Sequence, residues 1–393
     1  MAIMRQKFWM NDMEAVLAIM VVLIILGTIN IFSASFIIAE TQFHNPYFFL
    51  MRHMISLVIG FFGLLFAARI DYHHWRKLIP FVMAFTIISL LLVLAVGVEV
   101  NGSKRWLGLG FMQFQPSEMA KLVSIVMAAA YLGPRIDRKQ KITLNNAPAY
   151  IFFFMAVLIE LQPDMGTMLL VLGIPMLMYI LAGMDVKWVA GLAVLAIVGI
   201  IGLSLLQPYR MERIKTWYDP WQYQQNQGYQ TVQSMAAIGS GKLLGMGLGK
   251  GVSKYYYLPE AHTDFAFAIY CQENGYLGVL FMFFLLLALT IYTAKIANRA
   301  VDGFGRMLAS GVLILIVGQA VANIAMVVGV VPVVGVPLPF ISYGGTSLIL
   351  NMVGIGLLIN VGMYASRHPA AVKSGDVSSQ EVPGRRRLRL IKK

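Results

Sequence analysis

The dominant feature of the sequence is a series of ten apolar runs, most of them long enough to form a helix across a lipid bilayer. A spanning helix needs about 20 apolar residues, and only 12% of the 393 residues are charged, against about 25% in a soluble chain. The pattern predicts an all-α integral membrane protein, a bundle of ten transmembrane helices with one large extracytoplasmic loop. The predicted spans cover residues 14–37, 47–68, 78–98, 116–133, 147–162, 166–183, 187–206, 265–297, 305–329 and 346–366, and the loop covers 207–264.

The distribution of lysine and arginine predicts the orientation of this bundle. Most of the 31 basic residues fall in segments that share one side of the membrane, and short cytoplasmic loops carry such an excess. We therefore expect a cytoplasmic N-terminus at 1–13, a membrane domain at 14–366 and a basic cytoplasmic tail at 367–393. We interpret the tail as a disordered topology anchor at anionic lipid, and a partner-binding tail is the alternative.

Polar motifs cluster in the segments that this orientation places outside, so we expect the chemistry there. The central one is Pro259-Glu260-Ala261-His262-Thr263-Asp264, which runs directly into the apolar span 265–297. A carboxylate at the membrane boundary is costly because it loses solvation, and it is therefore a functional candidate. We predict that Asp264 is catalytic, and that Glu260 and His262 could approach it. The alternative is that Asp264 only caps a helix.

A second polar motif surrounds the start of the fourth span. Lys104 and Arg105 precede it, and Glu118 and Lys121 lie three residues apart on one face of the predicted helix. One hypothesis is that Lys104, Arg105 and Lys121 meet an anionic substrate. The other is that Glu118 and Lys121 form a structural ion pair inside the bundle, and the sequence does not separate the two.

Three further segments carry candidate binding groups. Asp164 precedes the sixth span, where capping of free helix N–H groups is favoured over a catalytic role. Residues 239–251 contain six glycines and two lysines, which suits either a phosphate cradle or a flexible re-entrant loop. Ser342, Tyr343 and Gly344 precede the last span, and a helix N-terminus of this kind suits a phosphate. No metal-ligand spacing or nucleic-acid motif is present in the sequence.

Five motifs, in this order and at these spacings, carry a family resemblance: KRWLGLGFMQFQPSEMAK, LQPDMGT, YQTVQSMAAIGSG, YLPEAHTDFAF and PLPFISYGGTS. Together they resemble the SEDS family of shape, elongation, division and sporulation proteins, over residues from about 14 to 366. The chain is more similar to the division branch (FtsW type) than to the elongation branch (RodA type). It departs from the family pattern at Cys271-Gln272-Glu273-Asn274-Gly275, commonly Gly-Glu-Glu-Leu-Gly, and at Lys242, where a glycine is usual.

The resemblance implies a peptidoglycan glycosyltransferase that polymerises lipid II on the outer face of the bacterial cytoplasmic membrane. It implies that Asp264 is the catalytic residue, and it places family polar groups on Arg105, Glu118 and Lys121. The partners it implies are lipid II, the nascent glycan strand, a class B penicillin-binding transpeptidase, other division or elongation proteins and membrane lipid, with no nucleic acid. A divalent cation, Mg²⁺ or Mn²⁺, could be bound through Asp264, and no organic cofactor is expected. The alternatives are a lipid II flippase, an elongation polymerase and a non-catalytic scaffold.

Overall fold

The chain is described by a computed structural model over residues 11–100, 103–108, 110, 113–185, 187–191, 194, 199, 202, 208–225, 228–255 and 257–369. Its helices are α1 Asp12–Phe43, α2 Phe48–Arg69, α3 Tyr72–Val96, α4 Pro116–Asp137, α5 Ala147–Glu160, α6 Met165–Leu181, α7 Pro208–Tyr218, α8 Tyr229–Ser240, α9 Ala266–Asn298, α10 Gly303–Val327 and α11 Gly345–Arg367. The α10 helix contains one π-helical turn at Ile314–Gly318.

Seven helices of the described chain are long and apolar enough to cross a membrane: α1, α2, α3, α4, α9, α10 and α11. The predicted fifth and sixth spans correspond to the shorter apolar helices α5 and α6. Most of the predicted seventh span, 187–206, lies outside the described residues, so the count of ten stays a prediction. The same is true of most of the tail at 367–393 and of the N-terminal segment at 1–13.

The expectation of an all-α chain is wrong between α3 and α4, where three short strands form an antiparallel sheet. They are β1 Val98–Val100, β2 Ser103–Gly108 and β3 Gln113–Phe114, in the order β1-β2-β3. The sequence carries the dipeptide Asn101-Gly102 between β1 and β2, which is the pair that two-residue hairpins prefer. Neighbouring side chains on a strand point to opposite faces of the sheet, so β2 separates the side chains of Lys104 and Arg105.

The bundle is built on two central helices, α4 and α11, which are the most enclosed of the long helices. The α4 helix packs on α3, α6 and the first half of α10, and α11 packs along α2. The longest helix, α9, packs along α1. Within the segment 207–264, the described residues form the short helices α7 and α8, and α8 contacts α9 and the end of α10.

The 33-residue helix α9 is interrupted at Gly275, where φ is 63° and ψ is −167°. The break leaves main-chain groups of α9 without hydrogen-bond partners in the helix. The glycine-rich segment 239–251 supplies the missing partners. The N–H groups of Met246 and Gly247 donate to the carbonyl oxygens of Gln272 (2.9 Å) and Glu273 (3.0 Å). Buried main-chain groups need such partners, above all at membrane depth.

The pairing continues on the other side of the break. The N–H groups of Tyr276 and Leu277 donate to the carbonyl oxygens of Lys242 (2.9 Å) and Leu243 (3.2 Å). Lys242 has a φ of 48°, the left-handed conformation that favours glycine. The N–H groups of Met246 and Gly247 are therefore occupied by α9. The segment is thus docked on α9, and both the phosphate cradle and the flexible re-entrant loop stay predictions.

Candidate active site

Asp264 lies in the turn that leads into α9, two residues before the helix begins. The turn is closed by the main-chain N–H of Phe265, which donates to the carbonyl oxygen of Glu260 at 3.1 Å. The hydroxyl of Thr263 donates to Glu260 Oε2 at 2.6 Å. The Asp264 side chain keeps partial exposure. These two bonds fix Glu260 within the turn that carries Asp264 to the head of α9.

The loop between α10 and α11 passes directly over the Asp264 carboxylate. A Cβ atom added at Gly335 would lie 3.3 Å from Asp264 Oδ2, and φ at Gly335 is 67°. The side-chain amide of Asn323 donates to the carbonyl oxygens of Asp264 (2.8 Å) and Val336 (2.7 Å). Asn323 thus ties the turn and the loop to α10.

Arg105 approaches the same region from β2. Its Nε donates to the carbonyl oxygen of Gln162 (3.4 Å), its Nη2 donates to that of Pro163, and its Nη1 lies 3.8 Å from Asp164 Oδ1. Asp164 is only 1% exposed and accepts from the Thr167 N–H at 3.2 Å, which makes it the N-cap of α6. The capping interpretation of Asp164 is confirmed, and the cap also anchors Arg105.

The charges around Asp264 set its protonation. Burial is the largest cause that raises the pKa of Asp264, to about 7, and the nearby carboxylates of Glu260 and Asp164 raise it further. Arg105 and Arg213 oppose this shift and lower the pKa. A carboxyl group that titrates near neutral pH suits a general base, because proton transfer is most effective when the pKa lies near the working pH.

The remaining predicted binding residues do not meet the Asp264 carboxylate. Lys104 is exposed, and its position next to Arg105 on β2 directs it to the opposite face of the strand. Lys121 is 2% exposed, with Nζ 2.8 Å from Glu118 Oε1 and 2.7 Å from Gln319 Oε1. The structural ion pair therefore describes Glu118 and Lys121. Gln319 links this pair to the loop between α10 and α11, because its side-chain amide donates to the carbonyl oxygen of Pro337 at 2.8 Å.

His262 and the segment before α11 form a second layer beside the turn. The His262 ring lies 4.5 Å from the Phe49 ring and 5.8 Å from the Tyr343 ring, and burial lowers the pKa of His262. The Tyr343 N–H donates to the carbonyl oxygen of His262 at 2.9 Å. The Ser342 hydroxyl accepts from the Leu338 N–H at 2.9 Å, and Gly344 is the residue before α11. These groups shape the loops, and a substrate role for them stays a prediction.

Four residues of the site had no role in the sequence-based prediction: Arg213, Gln319, Asn323 and Gly335. Gln319 and Asn323 are four residues apart on a helix that is otherwise apolar, and both side chains are fully buried. Polar side chains at that spacing on one face of a spanning helix are a usable signal. No sequence pattern indicated Arg213 or Gly335, because their positions near Asp264 depend on how α7 and the loop between α10 and α11 pack in the folded chain.

The family model described as "Cell cycle protein", which covers FtsW, RodA and SpoVE, matches residues 13–367 of the chain. The chain belongs to the FtsW/RodA/SpoVE family. The resemblance drawn from the five motifs is thereby confirmed. Together with the seven long apolar helices, membership identifies the chain as a multi-pass membrane protein.

Two relatives illustrate the range of the family. A protein of Geobacter sp. (strain M18), named "Probable peptidoglycan glycosyltransferase FtsW", is 39% identical over 350 residues, which are 88% of this chain and 95% of that protein. Stage V sporulation protein E of Bacillus subtilis (strain 168) is 37% identical over 351 residues, 88% of this chain and 96% of that protein.

Solved structures match the fold over most of the chain. One is described as "Structural coordination of polymerization and crosslinking by a peptidoglycan synthase complex". A chain of that structure matches with a TM-score of 0.74 and 27% identity, over 90% of this chain and 98% of that one. The rod shape determining protein RodA of Thermus thermophilus matches with a TM-score of 0.64 and 25% identity, over 88% of this chain and 95% of that one.

Proposed function

We propose that the chain is a peptidoglycan glycosyltransferase that polymerises lipid II, with Asp264 as its general base. The observation that carries this proposal is the setting of Asp264. Burial and neighbouring carboxylates raise its pKa to about 7, and Arg105 and Arg213, whose charges oppose this shift, can meet an anionic leaving group. The names of the FtsW relatives support the same reaction class.

The proposed reaction is an inverting glycosyl transfer. The Asp264 carboxylate accepts the proton of the acceptor sugar's 4-hydroxyl while that oxygen bonds to the donor's anomeric carbon. The bond from this carbon to the diphosphate breaks with inversion, and undecaprenyl diphosphate leaves. No general acid is needed, because diphosphate is already a stable anion. Arg105 and Arg213 stabilise the charge that develops on it, which is usually the largest contribution to catalysis.

A bound Mg²⁺ or Mn²⁺ remains part of the proposal. No group of three or more His, Cys, Asp or Glu side chains within the described residues is arranged to hold a metal ion. Mg²⁺ commonly binds one or two carboxylates and takes its other ligands from substrate phosphates and water. The setting of Asp264 fits that manner of binding, in which the cation would add positive charge beside the diphosphate.

The proposal extends to topology and partners. We propose ten transmembrane helices in the bacterial cytoplasmic membrane, with both termini cytoplasmic and Asp264 outside, because the basic residues favour one side. The FtsW relatives favour a role in cell division. A class B penicillin-binding transpeptidase is the proposed partner, and the match to a chain of a peptidoglycan synthase complex supports it.

The test is polymerisation of fluorescent lipid II by the purified protein, with and without the transpeptidase, read as glycan ladders on a gel. Asp264→Asn should lose roughly 10²–10⁴-fold in rate, the contribution typical of a general base. Asp219→Asn is the matched control, since Asp219 is an exposed carboxylate in the same 207–264 segment. Normal polymerisation by Asp264→Asn would disprove the assignment, and headgroup translocation without polymer would favour a flippase.

A further inference from the structure

A cavity of about 420 Å³ opens beside the proposed active site, between α7, α8 and the loop after α10. This volume lies in the range of ligand sites in proteins, about 300–1,000 Å³. The cavity is lined by Arg213, Thr216, Trp217, Tyr229, Gln230, Thr231, Pro259, Val331, Pro332 and Val333. None of these residues is assigned a role in the proposed reaction except Arg213.

The lining combines two aromatic rings with neutral polar groups. Trp217 and Tyr229 offer flat apolar faces, and Gln230, Thr216 and Thr231 offer an amide and two hydroxyls. A pyranose ring has the matching character, because its C–H faces stack on aromatic rings while its hydroxyl and acetamido groups need hydrogen-bond partners.

Two other occupants fit the lining less well. A polyprenyl chain would leave the Gln230 amide and the Thr231 hydroxyl without partners, which costs about 1–3 kcal/mol for each such group that is buried. The Thr216 hydroxyl already donates within α7, to the carbonyl oxygens of Glu212 (2.8 Å) and Arg213 (3.0 Å). A diphosphate would find only one basic side chain among the lining residues, that of Arg213. Arg213 already donates to the carbonyl oxygen of Val333 at 2.8 Å.

The aromatic wall is held in place before any ligand arrives. Trp217 Nε1 donates to the carbonyl oxygen of Gly329 at 3.1 Å, which fixes α7 to the loop after α10. The Ser234 hydroxyl donates to the carbonyl oxygen of Val327 at 2.7 Å, which fixes α8 to the end of α10. Such preorganisation favours binding because less conformational freedom is lost when the ligand is captured.

The cavity and Asp264 share both of their bordering loops. Pro259 lines the cavity and directly precedes Glu260 in the turn that carries Asp264. Val333 lines the cavity, and Gly335, two residues later, lies over the Asp264 carboxylate. A glycan with one sugar at Asp264 can therefore continue along these loops into the cavity.

We propose that this cavity is a glycan subsite, which binds sugar rings of the growing strand adjacent to the ring that reacts at Asp264. The inference rests on the proposed polymerase function for its biological role. Stacking on Trp217 and hydrogen bonds to Gln230 retain the strand between successive additions, so the subsite determines how long the product becomes.

The first experiment measures binding without catalysis. Chitotetraose, a β-1,4-linked tetramer of N-acetylglucosamine, is titrated into the detergent-solubilised full chain and followed by calorimetry. Trp217→Ala should weaken binding roughly tenfold, as loss of a central aromatic contact typically does. Trp217→Phe keeps a ring but loses the bond to Gly329, so it should retain most of the affinity. Tyr218→Ala is the matched control, because Tyr218 is 89% exposed and does not line the cavity.

The second experiment measures product length with fluorescent lipid II. Trp217→Ala and Gln230→Ala should give shorter glycans than the wild type, and Tyr218→Ala should give wild-type lengths. Equal chitotetraose affinity and equal glycan lengths in all variants would overturn the subsite. So would competition by undecaprenyl phosphate that depends on Trp217, since it would assign the cavity to lipid. If the wild type makes no polymer but binds chitotetraose through Trp217, the polymerase proposal fails and the sugar site stands.

Discussion

The side chain of Asn323 holds Asp264 through its main chain rather than through its carboxylate. Asn323 Nδ2 lies 2.8 Å from the carbonyl oxygen of Asp264 and 2.7 Å from that of Val336, and the asparagine is fully buried. One amide therefore fixes the distance between the turn that carries the proposed base and the loop that covers it. Asn323 is a positioning residue, since it acts on the reaction through Asp264.

Replacement of Asn323 by leucine should lower kcat much more than it changes KM. The variant keeps the side-chain size but loses both hydrogen bonds, and a displacement of about 1 Å at a reacting group can cost about 10²-fold in rate. Steady-state polymerisation of lipid II measures both constants. Asn351→Leu is the control, because Asn351 is also a buried asparagine but bonds to Ser347 within α11. Equal losses of kcat in the two variants would argue against a positioning role.

Polymerisation should rise with pH through about 7 and fall away below it. The pKa of Asp264 is raised to about 7, and a general base must be deprotonated to accept the substrate proton. The measurement is the acid limb of kcat/KM against pH. A limb centred near the ordinary aspartate pKa of about 4 would show that the carboxylate is not held in this environment.

Two charge variants should move this acid limb in opposite directions. Glu260 raises the pKa of Asp264, so Glu260→Gln should lower it and shift the limb to lower pH. Arg213 lowers the pKa of Asp264, so Arg213→Gln should shift the limb to higher pH. Glutamine preserves an acceptor for the Thr263 hydroxyl, which keeps the turn intact. A common shift in both variants would contradict the charge arrangement around Asp264.

Sequence alone predicted the long helices because their signal is local. The last predicted span, 346–366, agrees with α11 at Gly345–Arg367, and the overlong span at 265–297 agrees with α9. The position of Asp264 at the head of α9 followed from the same pattern. The break at Gly275 did not, because its partners are main-chain groups of 242–247, which have no side-chain signature.

The relative positions of the site residues were harder to predict. The sequence analysis named both Lys104 and Arg105 as possible contacts of an anionic substrate. The β2 strand distinguishes the two, since neighbouring side chains on a strand point to opposite faces. Lys121 was open to two interpretations because the i,i+3 spacing to Glu118 permits pairing without saying how deep the pair lies. Its partner Gln319 is 198 residues away, a contact that depends on how α4 packs against α10.

The docking of the glycine-rich loop on α9 predicts unequal effects of two glycine substitutions. Gly245 and Gly249 both have positive φ, 81° and 77°, so alanine is strained at either, by about 1–2 kcal/mol. A Cβ at Gly245 would lie 2.1 Å from the carbonyl oxygen of Glu273, whereas no atom lies within 4 Å of one at Gly249. Gly245→Ala should therefore lower the Tm clearly more than Gly249→Ala. Equal shifts in thermal unfolding would mean that the loop does not dock as described.

Removing one charge of the buried ion pair between Lys254 and Glu273 should lower the free energy of unfolding, whereas replacing both residues by apolar ones should lower it much less. Lys254 Nζ lies 2.9 Å from Glu273 Oε1 and 2.9 Å from Ser33 Oγ, and the two charged side chains are 3% and 1% exposed. Glu273→Gln leaves an uncompensated buried ammonium, so we expect a loss of about 3–5 kcal/mol in the free energy of unfolding. The double variant Lys254→Met, Glu273→Leu removes both charges and should recover most of this loss.

The control for this ion pair is the exposed pair of Lys141 and Asp185, whose side chains are 74% and 58% exposed at an N–O distance of 3.4 Å. Water screens such a pair, so Asp185→Asn should change stability by about 0–1 kcal/mol. Denaturation in detergent micelles, followed by resistance to proteolysis, measures all three variants and the wild type on one scale. A double variant no more stable than Glu273→Gln would show that Glu273 contributes mainly through its hydrogen bond from Ser33 rather than through the charge of Lys254.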